Sequence, residues 1–216
     1  MTRKYLLVGL ALIAACLIAS AILYPHLPSQ IPTHWNAHGQ VDRYGAKGTA
    51  LVLQPLVMLT LLAIFAVLPW LSPKHFEIET FRSTYLFIVL AILAFMTYLH
   101  ILTLWAALYR NLPMPKAVLG GIYLLVALLG NVMGKVRRNF YVGIRTPWTI
   151  ADERVWNATH RLGAKTMVAG GLAALFLLFV GTQIWISLAA LLAGAFVPAI
   201  YSLVYYKQLE RRGEIT

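Results

Sequence analysis

TMVAGGLAALFLLFVGTQIWISLAALLAGAFVPAIYSLVYY, residues 166–206, contains no Asp, Glu, Lys or Arg. A helix rising about 1.5 Å per residue needs about 20 apolar residues to cross about 30 Å of hydrocarbon. The run is long enough for two crossings, and its polar break at Gly181-Thr182-Gln183 predicts a tight turn between them. Working outward, four further charge-free windows, 5–41, 48–73, 83–109 and 117–134, each hold one span. Six transmembrane helices are therefore expected, at about 5–24, 49–71, 84–108, 115–134, 165–181 and 184–206. Composition agrees: 60% of the 216 residues are hydrophobic and 12% charged, whereas a soluble domain carries about 25% charge. Mean hydropathy is +0.74. Such a chain is no ordinary soluble enzyme, and with one cysteine, Cys16, and this much apolar surface to bury it is neither disordered nor a disulfide scaffold.

Basic side chains are retained on the cytoplasmic side during insertion. Placing the N-terminus inside puts fourteen of the eighteen Lys and Arg there: Arg3, Lys4, Lys74, Arg82, seven within 135–165, and Lys207, Arg211 and Arg212. Arg43, Lys47, Arg110 and Lys116 remain outside. Both termini are thus predicted to be cytoplasmic. The same distribution explains the net charge of +11 by topology and contact with anionic headgroups, so membrane lipids, and not nucleic acid, are the expected partners. Ala19-Ser20-Ala21 has the form of a signal-peptidase site and Ile13-Ala14-Ala15-Cys16 that of a lipobox. The apolar run nevertheless continues to Tyr24, longer than a secretory core, which favours an uncleaved first span without a lipid on Cys16.

Polar residues concentrate in two loops. The outer one, 25–48, carries Pro25, Pro28 and Pro32, then Gly39 and Gly45, and reads as an ordered cap of extended and turn structure. His26, His34, His38 and Asp42 are of zinc-binding types, and His34 and His38 would share a face if that stretch were helical. The Glu of a metalloprotease motif is missing and the prolines oppose a helix, so no metal or cofactor is predicted. These residues are expected to hydrogen-bond the loop to itself, with Trp35 at the membrane interface.

The inner loop, 134–165, contains Pro147, read as a bar to helix just before it, and Thr149 with Asp152 as a weak capping box. A short interfacial helix is predicted from near Ile150, with Ala151, Val155, Ala158 and Leu162 as its apolar stripe and Gly163 ending it. Arg145, Trp148, Trp156, His160 and Arg161 are of types that bind an anion or an aromatic group. The plainer reading anchors the arginines to lipid phosphates and sets the tryptophans at headgroup depth.

Within the membrane the notable residue is His100 in the third span. It reads either as a proton-relay or ligand contact, or as a packing histidine bonded to a neighbouring hydroxyl or carbonyl. With no intramembrane carboxylate, ion-coupled transport has little support; with no Gly-x-Ser-x-Gly and no His-Glu-x-x-His, hydrolysis has less, and no enzymatic activity is expected. Gly120-Gly121 and Gly170-Gly171 predict close helix contacts. These readings give an all-α polytopic membrane protein: residues 1–216 as one integral membrane domain, a bundle of six helices with both termini inside, an ordered outer loop and a short interfacial helix in the inner loop.

Both loops resemble the SdpI family of bacterial membrane immunity proteins. Leu27-Pro28-Ser29-Gln30-Ile31-Pro32-Thr33-His34-Trp35-Asn36, followed by Gly39, Asp42, Tyr44-Gly45 and Lys47, looks like that family's N-terminal domain of unknown function. Arg138-Asn139-Phe140-Tyr141-Val142-Gly143-Ile144-Arg145-Thr146-Pro147-Trp148-Thr149, then Trp156 and Thr159-His160-Arg161, is similar to its signature segment; Ala164 stands where a glycine is expected. The resemblance implies a protein of the bacterial plasma membrane that protects its cell from a secreted membrane-active toxin peptide; the best-known member of the family also acts as a receptor that draws a cytoplasmic repressor to the membrane, which makes signalling to a cytoplasmic regulator a further expectation. Binding residues are then expected at His34, Trp35, Asn36, His38 and Asp42 outside, and at Asn139, Arg145, Thr146, Pro147, Trp148, Thr149, Trp156, Thr159, His160 and Arg161 inside. The alternative is a small transporter or lipid-handling protein using His100 and the Arg145–Trp148 segment.

Overall fold

A computed structural model describes residues 3–36, 39–74, 76, 78–109 and 112–215. In chain order these form α1 (Arg3–Leu23), β1 (Gln30–Trp35), β2 (Val41–Ala46), α2 (Lys47–Leu71), α3 (Arg82–Tyr109), α4 (Met114–Met133), α5 (Pro147–Ala151), α6 (Glu153–Phe179) and α7 (Ile184–Arg211). All but α5 among the helices are long and apolar enough to cross a membrane. Their ends lie close to those expected from the charge-free windows, except that α6 starts at Glu153, well before 165. Large apolar side chains such as Leu7, Ile18, Ile22, Phe176, Phe196 and Ile200 are exposed. In water this would be a severe cost; in lipid only the backbone must satisfy itself, and helices do so internally. The protein is therefore a multi-pass membrane protein.

The chain divides into two compact units, one comprising residues up to Val67 with Val89–Ile122, the other Leu68–Ile88 with the chain from Tyr123 onward. In the first, Leu27, Ile31, Leu51, Leu104 and Ala107 form a buried cluster beneath the β1–β2 hairpin. Ile31 is fully buried, worth about 2 kcal/mol relative to exposure, and fixes which face of β1 points inward. Deeper, a methyl placed on Gly9 would meet Leu62 and Leu93 at 3.0–3.1 Å, so α1 lies tight against α2 and α3. The expected contact at Gly121 is present: Tyr98 and Phe95 of α3 occupy the space a side chain would need there.

In the second unit α4, α6 and α7 approach through small residues. A methyl on Gly170 would lie 2.9 Å from both the Ala190 oxygen and the Gly194 Cα; one on Gly171 would lie 2.8 Å from the Tyr123 oxygen. Lipid tails supply no hydrophobic drive between spans, so such close backbone approach supplies dispersion contact in its place. The Tyr123 hydroxyl and the Ser187 Oγ, both buried, meet at 2.9 Å. The α6–α7 turn falls at Gly181, whose φ of +79° suits glycine. Thr182 donates to the Leu177 oxygen through both its backbone N–H, at 3.1 Å, and its Oγ1, at 2.8 Å, closing the end of α6.

The helix in the inner loop differs from expectation. Pro147 does not precede a helix as a barrier; it is the first residue of α5, where its missing N–H costs nothing. Thr146 is the N-cap and pairs reciprocally with Thr149, so the box lies one turn earlier than Thr149–Asp152. Asp152 instead caps α6, accepting from the Arg154 and Val155 N–H groups. Gly163 ends nothing: it is buried inside α6, where an added methyl would come within 3.6 Å of Pro198. The glycine serves packing, so Val155, Ala158 and Leu162 belong to a helix continuous with the fifth span, and the short helix is Pro147–Ala151 alone.

Candidate functional site

The outer loop folds as an antiparallel hairpin pairing Gln30 with Ala46, Ile31 with Gly45, Pro32 with Tyr44, His34 with Arg43 and Trp35 with Val41, with register shifts on either side of His34. His34 is therefore on a strand and not on a helix face, and His38 lies outside the described residues. The irregular register brings the His34 Nδ1 to 2.5 Å from the Asp42 Oδ1, with both side chains exposed. Among the described residues no third His, Cys, Asp or Glu joins the pair to make a metal-binding group, and His26 sits on the short turn ending α1. The tip is ordered by Asn36, whose Oδ1 accepts from the Gln40 N–H at 3.0 Å and whose Nδ2 donates to the Gln40 side chain at 3.2 Å. At the base, the Lys47 ammonium donates to the Tyr24 and Leu27 oxygens at 2.9 and 3.0 Å and lies over the Tyr24 ring. Lys47 enters the sequence reading as an outer charge and as the end of the loop pattern that resembles the family's N-terminal domain; neither signals that it closes the hairpin's base. Trp35 lines a hollow of about 270 Å³ with Pro32, Val41, Tyr44, Ala106 and Leu112.

The segment between α4 and α6 is built around buried polar side chains. Asn139, fully buried, uses all four of its bonds: Nδ2 donates to the Arg137 and Val142 oxygens at 2.8 and 2.9 Å, and Oδ1 accepts from the Tyr141 and Val142 N–H groups at 2.8 and 2.7 Å. Trp156, fully buried, donates from its indole N–H to the Val136 oxygen at 2.8 Å, so its ring faces the protein interior and not lipid. His160 stacks on Trp156 at 4.0 Å. Its Nδ1 donates to the Trp156 oxygen at 2.8 Å, and its Nε2 therefore accepts the Ile144 N–H at 3.0 Å. Both ring nitrogens are thus committed, in the neutral tautomer protonated on Nδ1. The chain passes this ring at Gly143, whose φ of +114° favours glycine.

Thr149 is buried and donates to the Ile144 and Thr146 oxygens at 2.9 and 3.0 Å. The Thr146 Oγ1 meets the Ser202 Oγ at 2.8 Å, fastening α5 to α7; Ser202 was not anticipated, being one hydroxyl in an apolar span. Thr159 is fully buried. Arg145 donates to the Phe140 oxygen. The Arg154 guanidinium beside Asp152 holds that carboxyl below the usual carboxylate range and reaches Glu214 at 3.3 Å. Pro147 and Arg161 are exposed and Trp148 half-buried. The residues weighed as one anion or aromatic pocket are therefore divided: Trp156 and His160 face inward, while Arg161 lines a separate groove.

His100 is buried with Nε2 2.8 Å from the Ser20 Oγ and 3.2 Å from the Cys16 oxygen, the hydroxyl-and-carbonyl environment of a packing histidine.

Residues 135–205 match the family described as the SdpI/YfhL protein family, and residues 11–59 match a domain of unknown function, DUF1648. The first match takes in the Asn139–His160 framework and the α6–α7 pair; the second takes in α1, the hairpin and the start of α2. The immunity protein SdpI of Bacillus subtilis (strain 168) is 29% identical over 209 residues, covering 93% of this chain and 96% of that protein. No solved structure matches. The two matched segments coincide with the hairpin and the buried loop framework, and the similarity to that immunity protein runs nearly end to end, so this chain is similar to the SdpI/YfhL protein family in the segments that build both loops.

Proposed function

We propose that this membrane protein is an immunity protein that binds a membrane-active toxin peptide and acts by binding, not catalysis. The observation that carries the reading is the similarity to an immunity protein over 93% of the chain. With both termini inside, the hairpin faces the exterior. Its exposed His34–Asp42 pair and the hollow beside Trp35 and Tyr44 offer a peptide both a charge-bearing contact and a place for an apolar side chain. Asn36 orders the tip beside them.

The segment between α4 and α6 then faces the cytoplasm, where a repressor would meet it. Asn139, Thr149, Trp156 and His160 are occupied inside the fold, and Thr159 is buried with its Oγ1 unpartnered among the described residues. Contact with a partner falls instead to Arg145 and Pro147, with Thr146 and Trp148 at the edge. Expression in a toxin-sensitive bacterial host tests the proposal. Survival under toxin challenge is expected to rise with the wild-type chain and to fall back with His34→Ala or Asp42→Ala at equal membrane abundance. No gain in survival with the wild-type chain would overturn it. Trp148→Ala is expected to keep protection while leaving the repressor in the soluble fraction.

A further inference from the structure

Beside the Trp156–His160 framework, α6 turns two cations outward one turn apart, Arg161 and Lys165. Both are exposed, and among the described residues neither side chain makes an ion pair or hydrogen bond, whereas Arg154 is held by Asp152 and Glu214 and Lys207 by Glu210. They border a groove of about 430 Å³ whose other walls are Gly134, Leu162, Ala164 and Tyr201. Among the described residues no carboxylate lines it. Its room comes from small residues: a methyl on Gly134 would stand 3.7 Å from the Ala164 Cβ. Lys165 is also the last charged residue before the charge-free run 166–206. The groove therefore combines two cations, next to the start of the charge-free run, with apolar walls from the same turn of α6 and from Tyr201.

We propose that this groove binds one anionic phospholipid, its phosphodiester between Arg161 and Lys165 and an acyl chain against Leu162 and Tyr201. Charge complementarity selects the occupant. Two unpaired cations at headgroup depth attract a net-negative headgroup, and a guanidinium pairs with phosphate oxygens in bidentate fashion. A zwitterionic lipid brings its own ammonium to a mouth that holds no carboxylate to receive it. The apolar walls distinguish a lipid from a free phosphate ion, which gains nothing from them. This site is independent of toxin binding and rests only on α6 being a membrane span.

Native mass spectrometry of the full chain released from detergent, titrated with phosphatidylglycerol, phosphatidylcholine or inorganic phosphate, tests it. One phosphatidylglycerol is expected to bind more tightly than phosphatidylcholine, without displacement by equimolar inorganic phosphate. Arg161→Gln with Lys165→Gln is expected to weaken phosphatidylglycerol about 30-fold. Ala164→Leu, which fills the apolar part and leaves both cations, is expected to weaken it as well. Lys207→Gln, which removes a cation already paired with Glu210, is expected to leave it unchanged. Thermal melting confirms that each variant is folded. Unchanged phosphatidylglycerol affinity in the double variant, an equal loss in Lys207→Gln, or displacement by inorganic phosphate would each overturn the assignment.

Discussion

Asn139 illustrates how a polar side chain is tolerated in a buried position: its amide replaces the backbone bonds that an irregular segment cannot make for itself. Two N–H groups and two carbonyl oxygens depend on it. Asn139→Ala strands them at once, and each unsatisfied buried group costs about 1–3 kcal/mol. The variant is expected to lose at least about 3 kcal/mol in thermal or denaturant unfolding in detergent; a loss too small to measure would mean that water or a shifted loop replaces the amide. Asp152 supports a smaller, pH-dependent claim. Its carboxyl caps α6 and is lowered in the folded protein by the Arg154 guanidinium. A carboxyl lowered on folding contributes stability that is fully present above its unfolded value, about 3.9, and is lost as pH falls through the folded one. Asp152→Ala is therefore expected to cost about 1 kcal/mol near neutral pH, as for a lost N-cap. Melts repeated at falling pH should show the gap to the wild type closing below about pH 4; a gap of constant size would remove the charge from the explanation.

At the scale of elements, α6 and α7 are held by backbone proximity at Gly170 and Gly194. Gly170→Val pushes a branched side chain against the Ala190 oxygen, and overpacking of this kind costs about 1–3 kcal/mol. Leu172→Ala, two residues on and so on the opposite face of α6, and half exposed, is expected to change unfolding in detergent by less than about 0.5 kcal/mol. Equal effects would mean that the glycines do not set the contact. The long helices were legible in the sequence because hydrocarbon thickness dictates their length and charge marks their ends. The turn at Gly181 was legible for a similar reason, being the one polar break in an apolar run. The hairpin was legible only as an ordered loop. Pro25, Pro28 and Pro32 oppose helix, but pairing His34 with Arg43 depends on register shifts that no residue pattern announces. Pro147 misled because it marks equally well a helix barrier and a first helical position, and Gly163 because a glycine reads alike as terminator and as packing contact. Identity alone did not reveal that Asn139, Trp156 and His160 point inward: tryptophan, histidine and asparagine are as apt for binding as for bonding a loop to itself.

For the molecule as a whole, the decisive quantity is the uneven spread of Lys and Arg along the chain. The segment 135–165 alone carries seven, against two in the hairpin-bearing loop, Arg43 and Lys47. If α2, α3 and α4 each cross, as their length and apolar composition allow, an odd number of crossings separates these segments, which predicts that they open on opposite sides of the membrane. The basic excess then predicts that 135–165 is cytoplasmic, because translocating seven cations is resisted far more than translocating two. Residues 36 and 148 are suited to test this. Asn36 lies at the hairpin tip and Trp148 on α5, and the single native cysteine, Cys16, is buried and replaceable by alanine. In that background Asn36→Cys is expected to react with a membrane-impermeant maleimide on intact cells, and Trp148→Cys only after the membrane is opened. Labelling of both positions in intact cells would mean that one of the three intervening helices does not cross. A reversed pattern would leave the spans standing but invert the protein, placing the hairpin inside, out of reach of a toxin arriving from the medium.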